Sequence, residues 1–237
     1  MKRMFWALVL AACPASAAFA QELAMPWGTE LGVARERLGR HTSGSVALYG
    51  RASFPGDSDV TQDGVTYAAL FDPGLGFSIE GDILVNMTHD WSVGGYLSVG
   101  WDTFGGVREV DDFGDALEPD TMELFSVIAG AKAVGTFDPL FFWEGRVGLG
   151  VVHYDAVEAD FILSGTTFAD QEFFKASDRA VFEIGGRIGM GTPHFAIDLG
   201  MGFRIMGGPG RGKDVTNFID PDPLATFMLE LGVMLRF

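Results

Sequence analysis

The most constraining feature of this chain is a period-two alternation of apolar and polar residues that recurs from about residue 45 to the end. In 75–87, Leu75, Phe77, Ile79, Gly81, Ile83, Val85 and Met87 share one face, and Gly76, Ser78, Glu80, Asp82, Leu84 and Asn86 the other. Successive side chains of a strand point to opposite faces, so each such run reads as a strand with one apolar and one polar side. In 91–102 the first face is Trp91, Val93, Gly95, Leu97, Val99 and Trp101, and the second runs from Ser92 to Asp102. The pattern returns in 141–154, 179–191, 194–206 and 225–237, and more loosely in 45–54 and 121–135. That makes eight strands.

The connections alternate in length. Those at 55–74, 103–120, 155–178 and 207–224 are long, whereas 88–90, 136–140 and 192–194 are short and carry Asp90, Asp138, Pro139 and Pro193 as turn residues. Long loops at one end and short turns at the other are the plan of an outer-membrane barrel. Composition agrees: 48% of residues are hydrophobic, yet no apolar run long enough for a transmembrane helix follows the first twenty positions. Trp91 and Trp101 lie ten residues apart on one face. At a tilt of about 40° this places them about 25 Å apart along the membrane normal, the height of an apolar band between two aromatic girdles. Phe141, Trp143, Phe195 and Phe237 would join Trp91 in the periplasmic girdle. A soluble barrel is the competing fold, but its exterior should be densely charged, and here the polar face is rich in glycine and serine.

The first twenty residues have the grammar of a secretory signal: Lys2 and Arg3, an apolar run from Met4 to Ala12, then Ala18-Phe19-Ala20 before Gln21. Leu10-Ala11-Ala12-Cys13 offers a second reading, a lipoprotein box with Cys13 lipidated. The expected organisation is a signal peptide at 1–20, a short periplasmic segment at 21–43 and a barrel at 44–237. Leu31, Ala34 and Leu38 give the middle segment a helix-like face.

The ending Glu230-Leu231-Gly232-Val233-Met234-Leu235-Arg236-Phe237 resembles the signal read by the barrel-assembly machinery, with Gly232, Leu235 and Phe237 in the matching positions. With the signal peptide and the eight strands, the chain resembles the small OmpA-type and OmpW-type outer-membrane barrels over about residues 45–237. The resemblance implies an all-β, eight-stranded, antiparallel up-and-down transmembrane β-barrel in a bacterial outer membrane. Its partners would be membrane lipid, lipopolysaccharide and the assembly machinery. It specifies no single activity.

Charge is the most informative functional feature. The formal net charge is −16, which disfavours nucleic-acid binding. The four long loops hold 19 acids and four bases, so they carry almost the whole excess. They would attract divalent cations that bridge to lipopolysaccharide phosphates, or serve only as a solvated surface. Asp57-Ser58-Asp59 with Asp63-Gly64 half matches a calcium loop. By parity Glu80, Asp82, Glu144, Glu183, Asp198 and Glu230 face the lumen, with Arg51, Lys132, Arg146, Arg187, Arg204 and Arg236. An eight-stranded barrel is just wide enough for side chains to fill, so these charges should pair into an ionic network that plugs it.

No catalytic constellation, metal site or cofactor is expected. His41-Thr42-Ser43 has the spacing of a lipid A deacylase pair but precedes the first clear strand, and the four histidines are scattered singly. Gly207 to Lys213 lacks the serine or threonine of a phosphate loop. The expected role is therefore non-enzymatic, structural and surface-interacting. The alternative is a narrow path for ions or small hydrophobic molecules, for which Leu84, Met206 and Met228 are the candidate lining.

Overall fold

The computed structural model describes residues 42–61, 64–88, 90–110, 114–138, 140–192, 194–213 and 221–237. The expected signal peptide with Cys13, the segment 21–41 with His41, and Asp63, His89, Asp111, Asp112, Pro139, Pro193, Asp214 and Asp220 lie outside them.

Eight strands close into an antiparallel barrel: β1 (Thr42–Pro55), β2 (Gly74–Asn86), β3 (Trp91–Phe104), β6 (Met122–Asp138), β7 (Phe141–Tyr154), β10 (Ser177–Gly191), β11 (Phe195–Met206) and β13 (Leu224–Arg236). Each pairs with its neighbour in sequence among these eight, and β1 pairs with β13 to close the ring. Closure leaves no unpaired edge, which a sheet in hydrocarbon requires. The alternation sorts the side chains. Leu75, Leu149, Ile188, Met201 and Leu231 are exposed on the outer wall, while Glu80, Arg146, Glu183 and Arg204 are buried inside. An apolar exterior around a charged interior is the inverse of a soluble barrel, so the wall faces lipid.

Two aromatic belts bound that wall. Trp91 packs on Trp143 with ring centroids 5.3 Å apart, at the short-turn end. At the other end, Phe77 is in register with Trp101 and Trp101 with Phe125, while Phe227 is in register with both Phe54 and Phe203. Cross-strand aromatic neighbours of this kind also lock register.

The structure differs from the sequence expectation in two places. First, β1 starts at Thr42, so Thr42 and Ser43 belong to the barrel, paired with Val85 and Leu84, and not to the N-terminal segment. Their small polar side chains hide the alternation, and pairing to β2 decides their conformation. Second, the long outer connections are not simple loops. They form a second, five-stranded antiparallel sheet from β4 (Glu109–Val110), β5 (Ala116–Pro119), β8 (Val157–Leu163), β9 (Thr166–Lys175) and β12 (Gly210–Arg211), in the order β12-β9-β8-β5-β4. The β8–β9 hairpin turns on Ser164 and Gly165, both at positive φ (50° and 79°), which suits a two-residue turn between twisted strands.

Candidate functional site

Among the described residues, the buried charged side chains all lie in the lumen. It has three levels, set by where each strand's inward residues fall. At the outer end, Phe104, Met122, Leu124, Val152, Tyr154, Val181, Met206 and Leu224 point inward and form one apolar core with residues from the outer connections. Those are Val60, Tyr67, Leu70, Phe71, Val157, Ala159, Phe173 and Phe174, the first four from the first connection and its single-turn helix α1 (Tyr67–Leu70). Phe173 and Phe174 pack at 4.4 Å, and Phe71 lies on Phe174 at 6.3 Å. Burial pushes the Tyr67 phenol up from its ordinary pKa, and its hydroxyl donates to the Asp222 carbonyl at 3.0 Å. The mouth of the barrel is therefore filled by apolar side chains.

Below this cap lies an ionic belt. Arg51 makes a two-pronged contact with Asp102, Nε to Oδ1 at 2.7 Å and Nη2 to Oδ2 at 2.8 Å. Arg204 bridges Asp102 at 3.1 Å and Glu183 at 2.6 Å. Arg146 reaches Glu80 at 2.8 Å, Glu230 at 2.7 Å and Glu183 at 3.1 Å. Arg187 donates to Glu144 at 2.9 Å and to Glu230 at 2.9 Å, approaches Glu80 at 3.2 Å, and has its guanidinium 3.6 Å from the Tyr49 ring centroid. Lys132 contacts Glu80, Asp82 at 2.7 Å and Glu144 at 3.2 Å. Apart from Asp82, each of these carboxylates serves more than one cation, as burial of charge demands. Glycines make the room: a Cβ on Gly200 would come within 2.5 Å of the Arg187 Cγ.

At the short-turn end, Ala47, Tyr49, Phe142, Ala196 and Met234 form a smaller apolar collar.

Most of the residues singled out from the sequence meet here, with two corrections and one omission. Arg236 is not part of the belt. It lies half-exposed at the strand end, its guanidinium 4.2 Å from the Phe142 ring centroid and its Nε donating to the Met234 Sδ at 3.4 Å. Asp198 is inside but in no short ion pair; its closest cation is the Arg187 Nε at 4.0 Å. The omission is Asp102: the alternation in 91–102 puts it on the polar face with Tyr96 and Ser98, but as the last residue before the long connection it is left out of the expected lumen set. The expected balance of six against six is also corrected. Among the described residues, seven buried acids (Glu80, Asp82, Asp102, Glu144, Glu183, Asp198, Glu230) face five buried bases (Arg51, Lys132, Arg146, Arg187, Arg204).

The candidate lining of a transport path does not converge. Met206 is buried in the outer core and Met228 is fully buried, whereas Leu84 is half-buried near the short-turn end. Outside the membrane, the acids of the outer sheet meet like with like across strands, Glu118 opposite Asp160 and Glu158 opposite Glu172. Among the described residues, no three acids or histidines come together to hold a metal ion.

No protein-family model matches the chain, and no curated protein matches it. Several solved structures share its strand arrangement at low identity. Ail of Yersinia pestis is 16% identical over 83% of this chain and 99% of its own, with a TM-score of 0.44. Neisserial surface protein A is 14% identical over 84% and 99%, with a TM-score of 0.41. The outer-membrane enzyme PagL is 12% identical over 78% and 97%, with a TM-score of 0.42. They bring no residue role or activity to this chain. The eight-stranded transmembrane barrel stands on its own closure, alternation and inverted polarity.

Proposed function

We propose that this protein is a non-enzymatic bacterial outer-membrane barrel whose lumen is closed and whose working surface is the acidic outer sheet. The observation that carries the reading is the succession of apolar cap, ionic belt and apolar collar along one narrow lumen. Eight strands leave room for side chains but not for a water column. What remains accessible from outside is the sheet β4, β5, β8, β9 and β12, with Glu109, Glu118, Glu158 and Asp170 exposed. Membrane lipid and lipopolysaccharide surround the wall, and divalent cations are the partners such a surface would draw toward neighbouring phosphates. The decisive measurement is conductance of the purified protein in planar bilayers. We expect no steady current; large steady currents through the wild-type protein would overturn the closed lumen.

Gly232, Leu235 and Phe237 are the residues we assign to recognition by the assembly machinery. The Phe237 N–H also donates to the Gly44 carbonyl at 3.0 Å, and the Phe237 carbonyl accepts from the Gly44 N–H at 2.9 Å, at the seam where β1 meets β13. Deleting Phe237 is expected to lower the amount of inserted barrel without changing synthesis. Unchanged outer-membrane levels would reduce Phe237 to a girdle side chain.

A further inference from the structure

The outer sheet keeps one stretch of strand edge open. β9 runs from Thr166 to Lys175, but β12 pairs with it only at Phe174 and Lys175, with one further bond from the Gly212 N–H to the Phe173 carbonyl at 3.0 Å. Towards the hairpin tip, β9 has β8 on one side and, among the described residues, no strand on the other. Residues of an antiparallel pair alternate between bonding their partner and directing their backbone groups away from it. Leu163 is opposite Thr166 across the two-residue turn, and Phe161 is opposite Phe168, so Thr167 and Ala169 point to the open side. The Ala169 carbonyl accepts from the Gln171 side-chain amide at 2.7 Å, a side chain standing where a neighbouring strand would donate. The open edge ends at Asp170, at positive φ (54°), where two residues of β9 bulge against one of β8.

Natural edges are guarded by lysine, proline or inward-pointing charge. Thr166, Thr167, Phe168 and Ala169 carry none of these, and all four are exposed. Register puts Phe168 and Leu163 on one face with Phe161, which packs on the apolar cap. Beyond the cap that row stays bare, with Phe168 48% and Leu163 45% exposed. On the opposite face Asp160 lies across from Glu118. Between Val157 and Phe174 the chain has four acids, Glu158, Asp160, Asp170 and Glu172, and no base. A second copy of this chain would set these acids against their equals, and like charges across a strand pair are destabilising. A chain in which apolar and basic residues alternate suits both faces at once. Its apolar side continues the row of Leu163 and Phe168, and its bases meet the acids.

We propose that the Thr166–Ala169 edge of β9 is a docking site for an extended segment of another protein, with alternating apolar and basic residues, which adds to the outer sheet as a further strand. The proposal rests on the reading of the outer sheet as the working surface, and names its partner. Main-chain hydrogen bonds at Thr167 and Ala169 hold the segment, and the two faces select its pattern.

The probe is a short capped peptide of alternating lysine and valine, fluorescently labelled and titrated with the purified barrel in detergent. Two further peptides carry N-methyl groups, one on every lysine and the other on every valine. A strand presents the N–H groups of alternate residues on each edge, so only one of the two sets can face β9. We expect the parent peptide to bind, one methylated peptide to lose affinity by about tenfold or more, and the other to bind like the parent. Thr167→Pro removes an N–H from the open side and leaves the β8 pairs alone, so it should weaken the parent peptide by a similar factor. The methylated peptides need no change to the protein, so they decide the matter even where the proline disturbs the hairpin. The peptide with glutamate in place of lysine should not bind. Equal binding of the two methylated peptides would overturn the edge, and leave the acidic sheet as a surface that holds bases by charge alone. Failure of the parent peptide to bind a barrel that does not conduct would overturn the docking site and the outer sheet as working surface, while the closed lumen stands.

Discussion

Arg187→Leu is expected to destabilise the barrel by about 3–5 kcal/mol, the cost of breaking a buried ion pair by removing one partner. Arg187 lies within 3.2 Å of Glu80, Glu144 and Glu230, and its Nε is 4.0 Å from Asp198. Removing it raises the buried surplus of acids from two to three, and its closest carboxylates keep only Lys132, Arg146 and the more distant Arg51. The leucine also gives up the guanidinium stacked on Tyr49. Arg211→Leu, on the exposed face of the outer sheet, is the control, and surface substitutions of that kind usually fall within about 0.5 kcal/mol. Denaturant unfolding of both variants beside wild type measures the difference. Equal stability of the two would mean that the belt charges gain nothing from one another.

Leu199→Arg is expected to cost about 2–4 kcal/mol, because it places a charge at mid-height on the lipid face. Leu199 is 57% exposed on the outer wall of β11, flanked in register by Ile188 and Leu231, which are also exposed. In a soluble barrel the same change would put a charge into water at little cost, so its sign tests the inversion itself. A Leu199→Arg variant that folds and unfolds in lipid like wild type would mean that this wall does not face hydrocarbon.

The two variants probe opposite faces of the wall, and the faces differ in how much of them can be read from the chain. Alternation alone puts Leu199 outside and Arg187 inside, because strand parity is a local property. Parity also reaches Glu80, Lys132, Arg146 and Glu230, which the fold brings within direct contact. It fails for Arg236, whose parity is inward but which lies half-exposed at the end of its strand. Asp102 is inward by parity as well, but next to the long connection its depth in the lumen, and so its place in the belt, is not written locally. The outer sheet is legible in part. Val157, Ala159, Phe161 and Leu163 alternate with Glu158, Asp160 and Ile162, and Ser164-Gly165 is a two-residue hairpin turn. The density of acids in that stretch masks the pattern.

The sequence by itself determined the number of barrel strands, the face of each that meets lipid, the alternation of long and short connections, and most of the content of the lumen. Each of these is written in residues near one another along the chain. Which inward charges pair was settled only by the tertiary structure. Arg187 and Glu80 are 107 residues apart in sequence, on β10 and β2, and they meet across the lumen only because the ring closes. The same holds for the cap, where Phe174 of β9 packs on Phe71 of the first connection. Contacts across a barrel depend on register, stagger and the height at which each residue enters the interior, and these follow from closing all eight strands together.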